Sequence, residues 1–593
     1  MVVLLSLKII NGLYRYNAMK RKLDKNEILE GLFSATGMSY LFNIQMMSIW
    51  PVFLWMLLSY SFRKKVDLEK RGEICTSIVS IFFSLCCCLA NAENGEPGIN
   101  RIVRFIVVLI GMFFLFRWCL RHLFCIMNNL ETKKISAGKK KGIFWISWGT
   151  TFICWLPYYL KYYPGVITTD SISQIEQVLG IQPYSNHHPF AHTCIIKLLY
   201  DLIYIFIKDE TAIIGLIILI QMLLLAFCFS CIVMQVYKKI GKKVAFLTWI
   251  FYSIIPYNGI YSVSLWKDVW FAGICLLFIL FLFNYIYCHD KMCEGKNKWL
   301  IGIIIAGTGV CLFRSNGYFA FAFLLLFLLL KAIFYKKKSI DIKMIATLAG
   351  AFIIATVIKG PVYQIIGVQP GDCIESLSLP AQNIACVIAN GKELKIEEKQ
   401  LLSQIIDLDK VAESYCGWLS DPIKNLVRDK GNQDYLEENK GDYFKLWLKL
   451  GLRYPREYLT SWINQTKGYW YPATEYWVYA ENVAENNIGI QGKTLVNAQM
   501  NAIIKNWTDL YKDCPIYGSL WEISAFVWGL IVLIAYVVYK KRWDIIEIYV
   551  FLLGIWGTLL IATPVYAEFR YLYSLVVAFP FIVAIPYYKQ NKK

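Results

Sequence analysis

Apolar residues fall in long unbroken blocks along this chain, and short clusters of lysine and arginine separate them. Blocks of about 17 to 25 residues are long enough for a helix to cross the hydrocarbon core of a bilayer. They are continuous rather than alternating, which argues against a transmembrane β-barrel. Hydropathy and flanking charge predict membrane helices over 41–62, 74–92, 101–121, 143–160, 211–236, 243–260, 268–287, 299–313, 317–335, 343–360, 521–540, 545–563 and 568–587. The expected fold class is a polytopic α-helical membrane protein with about 13 transmembrane helices.

The basic clusters orient these helices. Arg63-Lys64-Lys65, Lys139-Lys140-Lys141, Lys238-Lys239 with Lys242-Lys243, Lys336-Lys337-Lys338, Lys540-Lys541-Arg542 and Lys592-Lys593 mark cytoplasmic loops by the positive-inside rule. The loops at 161–210, 258–267, 314–316, 361–520 and 564–568 then fall outside. The apolar segment 189–207 would reverse every later cluster if it crossed, so it is read as an interfacial or re-entrant helix. The N-terminal forty residues are basic yet fall outside in this alternation. Either 28–48 holds an additional pass or 1–40 lies on the inner surface. The start carries Lys20-Arg21-Lys22 and no small-residue cleavage site, so no cleaved signal peptide is expected.

One large polar insertion interrupts the pattern. Residues 361–520 hold 16 Lys and Arg against 20 Asp and Glu, a net charge of −4 in a chain of net charge +19. This marks a mainly helical extracytoplasmic domain, inserted before the last three helices and large enough for its own core. The expected organisation is an N-terminal region, 1–142, with about three membrane helices; a membrane core, 143–360, whose first external loop is 161–210; the domain 361–520; and 521–593, the last three helices with a cytoplasmic tail.

Composition agrees. The chain is 57% hydrophobic and 17% charged, with a mean hydropathy of +0.46, where a soluble protein carries about 25% charged residues. The positive charge lies between apolar runs, and no nucleic-acid module is present. Many of the 18 cysteines sit inside apolar runs as small hydrophobes. Cys373, Cys386, Cys416 and Cys514 lie in the external domain, where one or two disulfides are open options.

Candidate chemistry gathers on the external face. Asp170 follows the Pro164-Gly165 turn, directly after a membrane helix, where a carboxylate is costly to hold without a task. It either caps an interfacial helix, or acts as a general base or a ligand to a divalent cation on a phosphate. The same loop carries Gln174, Tyr184, His187, His188 and His192, three of only five histidines in the chain. His188 precedes Pro189 at a forced turn and is the histidine favoured for a catalytic role. Lys267-Asp268 is either a self-neutralising pair or places a cation for a lipid-linked phosphate. Arg314 runs against the positive-inside trend. Glu568 and Arg570 either pair together or leave Arg570 for an anionic headgroup. The aromatic tract 462–479, with Trp470, Tyr471 and Trp477, reads as an interfacial belt or as a groove for sugar rings.

The stretches Tyr162–Gln174 (YYPGVITTDSISQ), Tyr184–Thr193 (YSNHHPFAHT), Leu265–Asp268 (LWKD), Arg314–Gly317 (RSNG) and Ala567–Tyr573 (AEFRYLY) resemble the GT-C class of integral-membrane glycosyltransferases, in particular an uncharacterised bacterial group of GT-C-like membrane proteins. The three N-terminal helices lie outside the resemblance. It implies a GT-C-like core and transfer of a sugar from a polyprenyl-phosphate donor to a cell-envelope glycan, lipid or protein. The setting would be the outer face of a bacterial cytoplasmic membrane. It further implies that Asp170 is the base or metal-associated carboxylate, that Lys267, Arg314 or Arg570 holds the donor phosphate, and that the first external loop carries helices along the membrane. Thr169-Asp170-Ser171 departs from the paired acidic motif of many such enzymes. This points to metal-independent transfer, and no cofactor is expected. The competing classes are a transporter or lipid-linked-glycan flippase, which predicts broken helices and inverted repeats, an envelope scaffold, and an O-antigen-ligase-type enzyme.

Overall fold

Every one of the thirteen predicted blocks contains a helix. The structure, a computed structural model, describes residues 24–92, 99–131, 142–287, 296–334, 341–429, 431–472 and 474–588. Lys20-Arg21-Lys22, Lys139-Lys140-Lys141, Lys336-Lys337-Lys338 and Lys592-Lys593 lie outside the described residues. Among the described residues, seven helices are long and apolar enough to cross a membrane: Lys70–Ala90, Asn100–Leu130, Glu210–Lys239, Lys267–Tyr287, Ser315–Phe334, Ile342–Ile366 and Phe569–Tyr587. The bent pair Lys242–Ile254 and Pro256–Ser262 makes an eighth if it is one span. This is a helical membrane protein. Among the described residues there is no strand, only isolated β-bridges.

Two segments left open by charge alternation are now visible. Helix Lys25–Leu41 has 17 residues and precedes a separate helix, Ile49–Phe62. Helix Phe190–Tyr204 has 15 residues, about 22 Å of rise against about 30 Å of hydrocarbon. It buries Phe190, His192, Thr193, Ile196 and Tyr200 on one face and exposes Leu198 and Leu202 on the other.

The chain forms two compact units that cut across the sequence segments. One comprises Met1–Ile135, Trp470–Ala473 and Tyr511–Ile546. In it Gly37 meets Gly111 where two helices cross, and Ser34 donates to the Gly111 carbonyl (3.0 Å). Phe83 stacks on Trp528 at 4.0 Å. Trp470 and Tyr471 belong to this unit, whereas Trp477 belongs to the other. Trp470 is buried, its carbonyl accepting from Trp528, and Tyr471 packs with Cys87, Cys88, Val108 and Met112. Trp470 and Tyr471 are thus engaged in packing within their own unit.

The second unit comprises Ser136–Tyr469, Thr474–Leu510 and Glu547–Lys593. Its bent span breaks at Pro256, which has no N–H for the Tyr252 carbonyl. Trp155 Nε1 donates to that carbonyl instead (3.2 Å), and Asn258 Nδ2 donates to the Phe251 carbonyl (2.7 Å). Neighbouring side chains thus re-satisfy the freed backbone, as a bilayer requires. The break turns the chain so that Val263 to Leu265 runs beside Val166: Val166 N–H donates to Val263 O (2.9 Å) and Leu265 N–H to Val166 O (3.0 Å). On its other side Ile167 pairs with Val483.

Within this unit, residues 373–450 pack a core around Ile374, Leu377, Ile384, Leu402, Val427 and Leu446. Cys373, Cys386 and Cys416 form no disulfide among the described residues, nor does Cys514 in the first unit. Short ties fix this core to two other segments. Asn186 N–H donates to Gln369 O (2.8 Å), and Ser420 N–H to Pro564 O (2.9 Å).

Gly165 sits at φ +150°, and a Cβ there would lie 2.7 Å from the Val263 carbonyl oxygen. Gly165→Ala is therefore expected to lower stability by about 1–3 kcal/mol, read as a drop in thermal midpoint in detergent, because neither the backbone nor the bridge can yield cheaply.

Candidate functional site

Asp170 occupies the first turn of helix Thr169–Val178, whose N-cap is Thr168. The Val166 pairing sets this helix start opposite the start of helix Lys267–Tyr287. Two further bonds hold the register: Ser171 Oγ donates to Leu265 O (2.7 Å), and Trp266 Nε1 donates to Thr168 Oγ1 (3.0 Å). From helix Glu210–Lys239, Gln221 Nε2 donates to the carbonyls of Ser262 (2.9 Å) and Ser264 (2.8 Å). Lys267 and Asp170 are thereby brought together across 97 residues of chain.

The Asp170 carboxylate does not cap its helix. Its Oδ2 accepts from Lys267 Nζ (3.2 Å) and from Arg570 Nη1 (3.1 Å). Arg570 also pairs with Glu568 and lies over the Trp266 ring, 5.4 Å from its centroid. Arg314 pairs with Asp268 and lies 4.6 Å from the Tyr571 ring centroid. The expected Lys267–Asp268 pair is absent, because neighbours on a helix point to different sides; each takes a different partner. Three cations thus meet three carboxylates. Their exposure separates them: the Asp170 side chain is 29% exposed and that of Asp268 only 1%. Asp170 is the carboxylate a ligand can reach. Arg314, expected as a phosphate-binding cation, is instead consumed by a buried carboxylate.

Burial alone would raise the Asp170 pKa, but Lys267, Arg570 and His188 outweigh it and hold the carboxyl well below the usual range. His188 is buried, and burial followed by the Lys267 charge lowers its pKa to about 3. It is a neutral imidazole at pH 7, and its Nδ1 accepts from Lys267 Nζ (2.9 Å). His188 therefore orients the lysine and leaves the carboxylate 4.0 Å away.

The remaining histidines do other work. His192 is fully buried, with its pKa lowered to about 3 by burial first and Lys267 second. Gln174 Nε2 donates to Thr193 Oγ1 (2.9 Å), so the Gln174 Oε1 accepts from His192 Nδ1 (2.8 Å). His187 turns away to Asp372 (3.9 Å). Tyr184 packs edge-on against Phe190 and accepts from Gln369 N–H through its carbonyl. Trp477 is half exposed and meets Trp266 edge-on at 5.8 Å, so it alone of the three aromatics reaches the neighbourhood of Arg570. No group of His, Cys, Asp or Glu suited to a metal ion occurs among the described residues.

Gln221 and Tyr571 were not singled out by sequence reasoning. A glutamine deep inside a 30-residue apolar helix was the available signal for the first. Tyr571 lies over both Arg314 and Arg570, a role no spacing reveals.

The chain matches DUF6020, a family of unknown function, over residues 182–593. It belongs to that family. His188, Lys267, Asp268, Arg314, Glu568 and Arg570 fall inside the matched residues, and Asp170 lies upstream of them. No curated protein and no solved structure matches the chain.

Two tests follow from this geometry. His188 and His192 stay neutral when folded and charge near pH 6.5 when unfolded, so unfolding takes up protons and acid favours it. Stability is expected to fall as the pH drops from about 6.5 toward 3, with Asp170 adding to the same trend below about pH 4. Thermal midpoints across this range should show a shallower slope for His188→Gln. Asp268→Asn strands Arg314 and is expected to cost about 3–5 kcal/mol, whereas Asp268→Leu with Arg314→Met costs far less.

Proposed function

We propose that the protein is an integral-membrane glycosyltransferase of GT-C type. It moves a sugar from a polyprenyl-phosphate donor to a cell-envelope acceptor, on the outer face of a bacterial cytoplasmic membrane. The observation that carries this reading is one reachable carboxylate, Asp170, shared by Lys267 and Arg570 at the first turns of two apolar helices. The reading takes the bent pair and helices Ile49–Phe62, Ile143–Lys161, Asn297–Phe313, Ile523–Tyr539 and Ile546–Ala562 as further spans, which completes the thirteen.

In this scheme the donor phosphate takes over Lys267 and Arg570, and Asp170 regains basicity as they leave it. The acceptor oxygen then bonds to the anomeric carbon, and its proton passes to Asp170. The bond from the anomeric carbon to the phosphate oxygen breaks, and polyprenyl phosphate leaves with the electron pair and the donor lipid. Lys267 and Arg570 stabilise that growing negative charge in a site screened from bulk water. Asp170 then gives its proton to solvent. Attack from the face opposite the phosphate inverts the anomeric centre. His188 positions Lys267. Trp477 offers the aromatic face for a sugar ring.

A lipid-linked-glycan flippase is the second reading, favoured by the 57° break at Pro256. Reconstituted membranes separate the two. With a panel of polyprenyl-phosphate sugars, wild type is expected to release polyprenyl phosphate, and folded Asp170→Asn to do so about 100-fold or more slowly. Equal rates would remove Asp170 from the chemistry. Translocation of the donor without release would establish the flippase.

A further inference from the structure

Lys359 lies within the apolar stretch Ile342–Ile366, where an ammonium is costly to keep. Four other cations of this unit at helix ends are paired with carboxylates: Lys267 with Asp170, Arg314 with Asp268, Arg570 with Glu568, Lys331 with Glu547. Lys359 has no carboxylate partner among the described residues. Its Nζ donates weakly to the Cys311 carbonyl (3.5 Å) and lies 4.9 Å from the Tyr318 ring centroid. Neither contact neutralises a positive charge.

The backbone there is loosened. Ile358–Val362 winds as a π-helix around Pro361, which lacks the N–H an α-turn needs. Thr356 Oγ1 donates to the Phe352 carbonyl (2.8 Å) and accepts from Tyr318 OH (3.0 Å), so both hydroxyl protons are engaged within the protein and leave the ammonium uncompensated. The outer surface is apolar: Ile353, Val357 and Ile365 of this stretch and Phe319 of the next helix are exposed. The chain then runs into Tyr363, which meets Phe190 edge-on at 5.2 Å, directly after His188-Pro189. The Cys311 carbonyl is one turn before Arg314. Lys359 therefore sits on the rim that carries the Asp170 loop, outside its ion-pair cluster.

We propose that Lys359 anchors the phosphate of a membrane lipid, with the lipid tail along the exposed isoleucines and Phe319. An unpaired cation beside an aliphatic wall matches the chemistry of a phosphate carried on a hydrocarbon chain. The inference does not depend on sugar transfer.

The test is equilibrium binding of labelled polyprenyl phosphate to the full chain in nanodiscs of zwitterionic lipid. Lys359→Met and Lys359→Gln are compared with Lys359→Arg, and with Lys343→Met, an exposed lysine at the other end of the same helix; only variants that remain monodisperse are scored. Wild type is expected to bind saturably, the two neutral variants about tenfold or more weakly, and the arginine and Lys343 variants close to wild type. Competition by phosphatidylglycerol would widen the ligand to phospholipids in general and uphold the lipid-phosphate site. Equal competition by inorganic phosphate would overturn it. So would unchanged binding in both neutral variants, or an equal loss in Lys343→Met, which would reduce Lys359 to a side chain reaching for the interface. Because binding is the readout, failure here leaves the role of Asp170 to its own transfer assay.

Discussion

The Asp170 carboxylate, held jointly by Lys267 and Arg570, joins parts of the chain 400 residues apart. Taking those charges out of water is expensive, and their mutual attraction returns the cost only where the geometry is good. Much of the surrounding structure supplies that geometry. The break at Pro256 delivers Leu265 to the Val166 pairing, Gln221 fixes the carbonyls of Ser262 and Ser264, and Trp266 binds Thr168 while its ring lies against Arg570. On the opposite side, the Ser420 tie to Pro564 steadies the segment that leads into Glu568 and Arg570.

Charge balance holds the cluster together, three cations facing three carboxylates. Asp268 and Arg314 form its closed, buried half, and Asp170 its reachable half. A carboxylate held this low in pKa is a weak base, so ligand-free geometry by itself argues against proton abstraction. An anion that competes for Lys267 and Arg570 changes this directly. In the proposed scheme, binding of a phosphate and activation of the base then become one event. His188, neutral and bonded to Lys267, contributes orientation without adding charge.

Much of this was legible in the sequence, for identifiable reasons. Long apolar blocks with basic flanks report helices directly, since in a bilayer every backbone group must be satisfied within the segment. The site residues were legible as anomalies: an acid after a membrane helix, cations on the wrong face. What spacing does not report is who pairs with whom. Lys267 and Asp268 are adjacent yet diverge, and Trp470 and Trp477 lie seven residues apart in different units. The bridge of Val166 to Ser264 joins two-residue pieces too short for a strand pattern.

The most direct measurement is a structure of the protein with a non-transferable polyprenyl phosphonate sugar. The account predicts the phosphonate oxygens within hydrogen-bond distance of Lys267 Nζ and Arg570, with the Asp170 carboxylate released toward the anomeric carbon. A phosphonate bound elsewhere, with the Lys267–Asp170–Arg570 contacts intact, would contradict it.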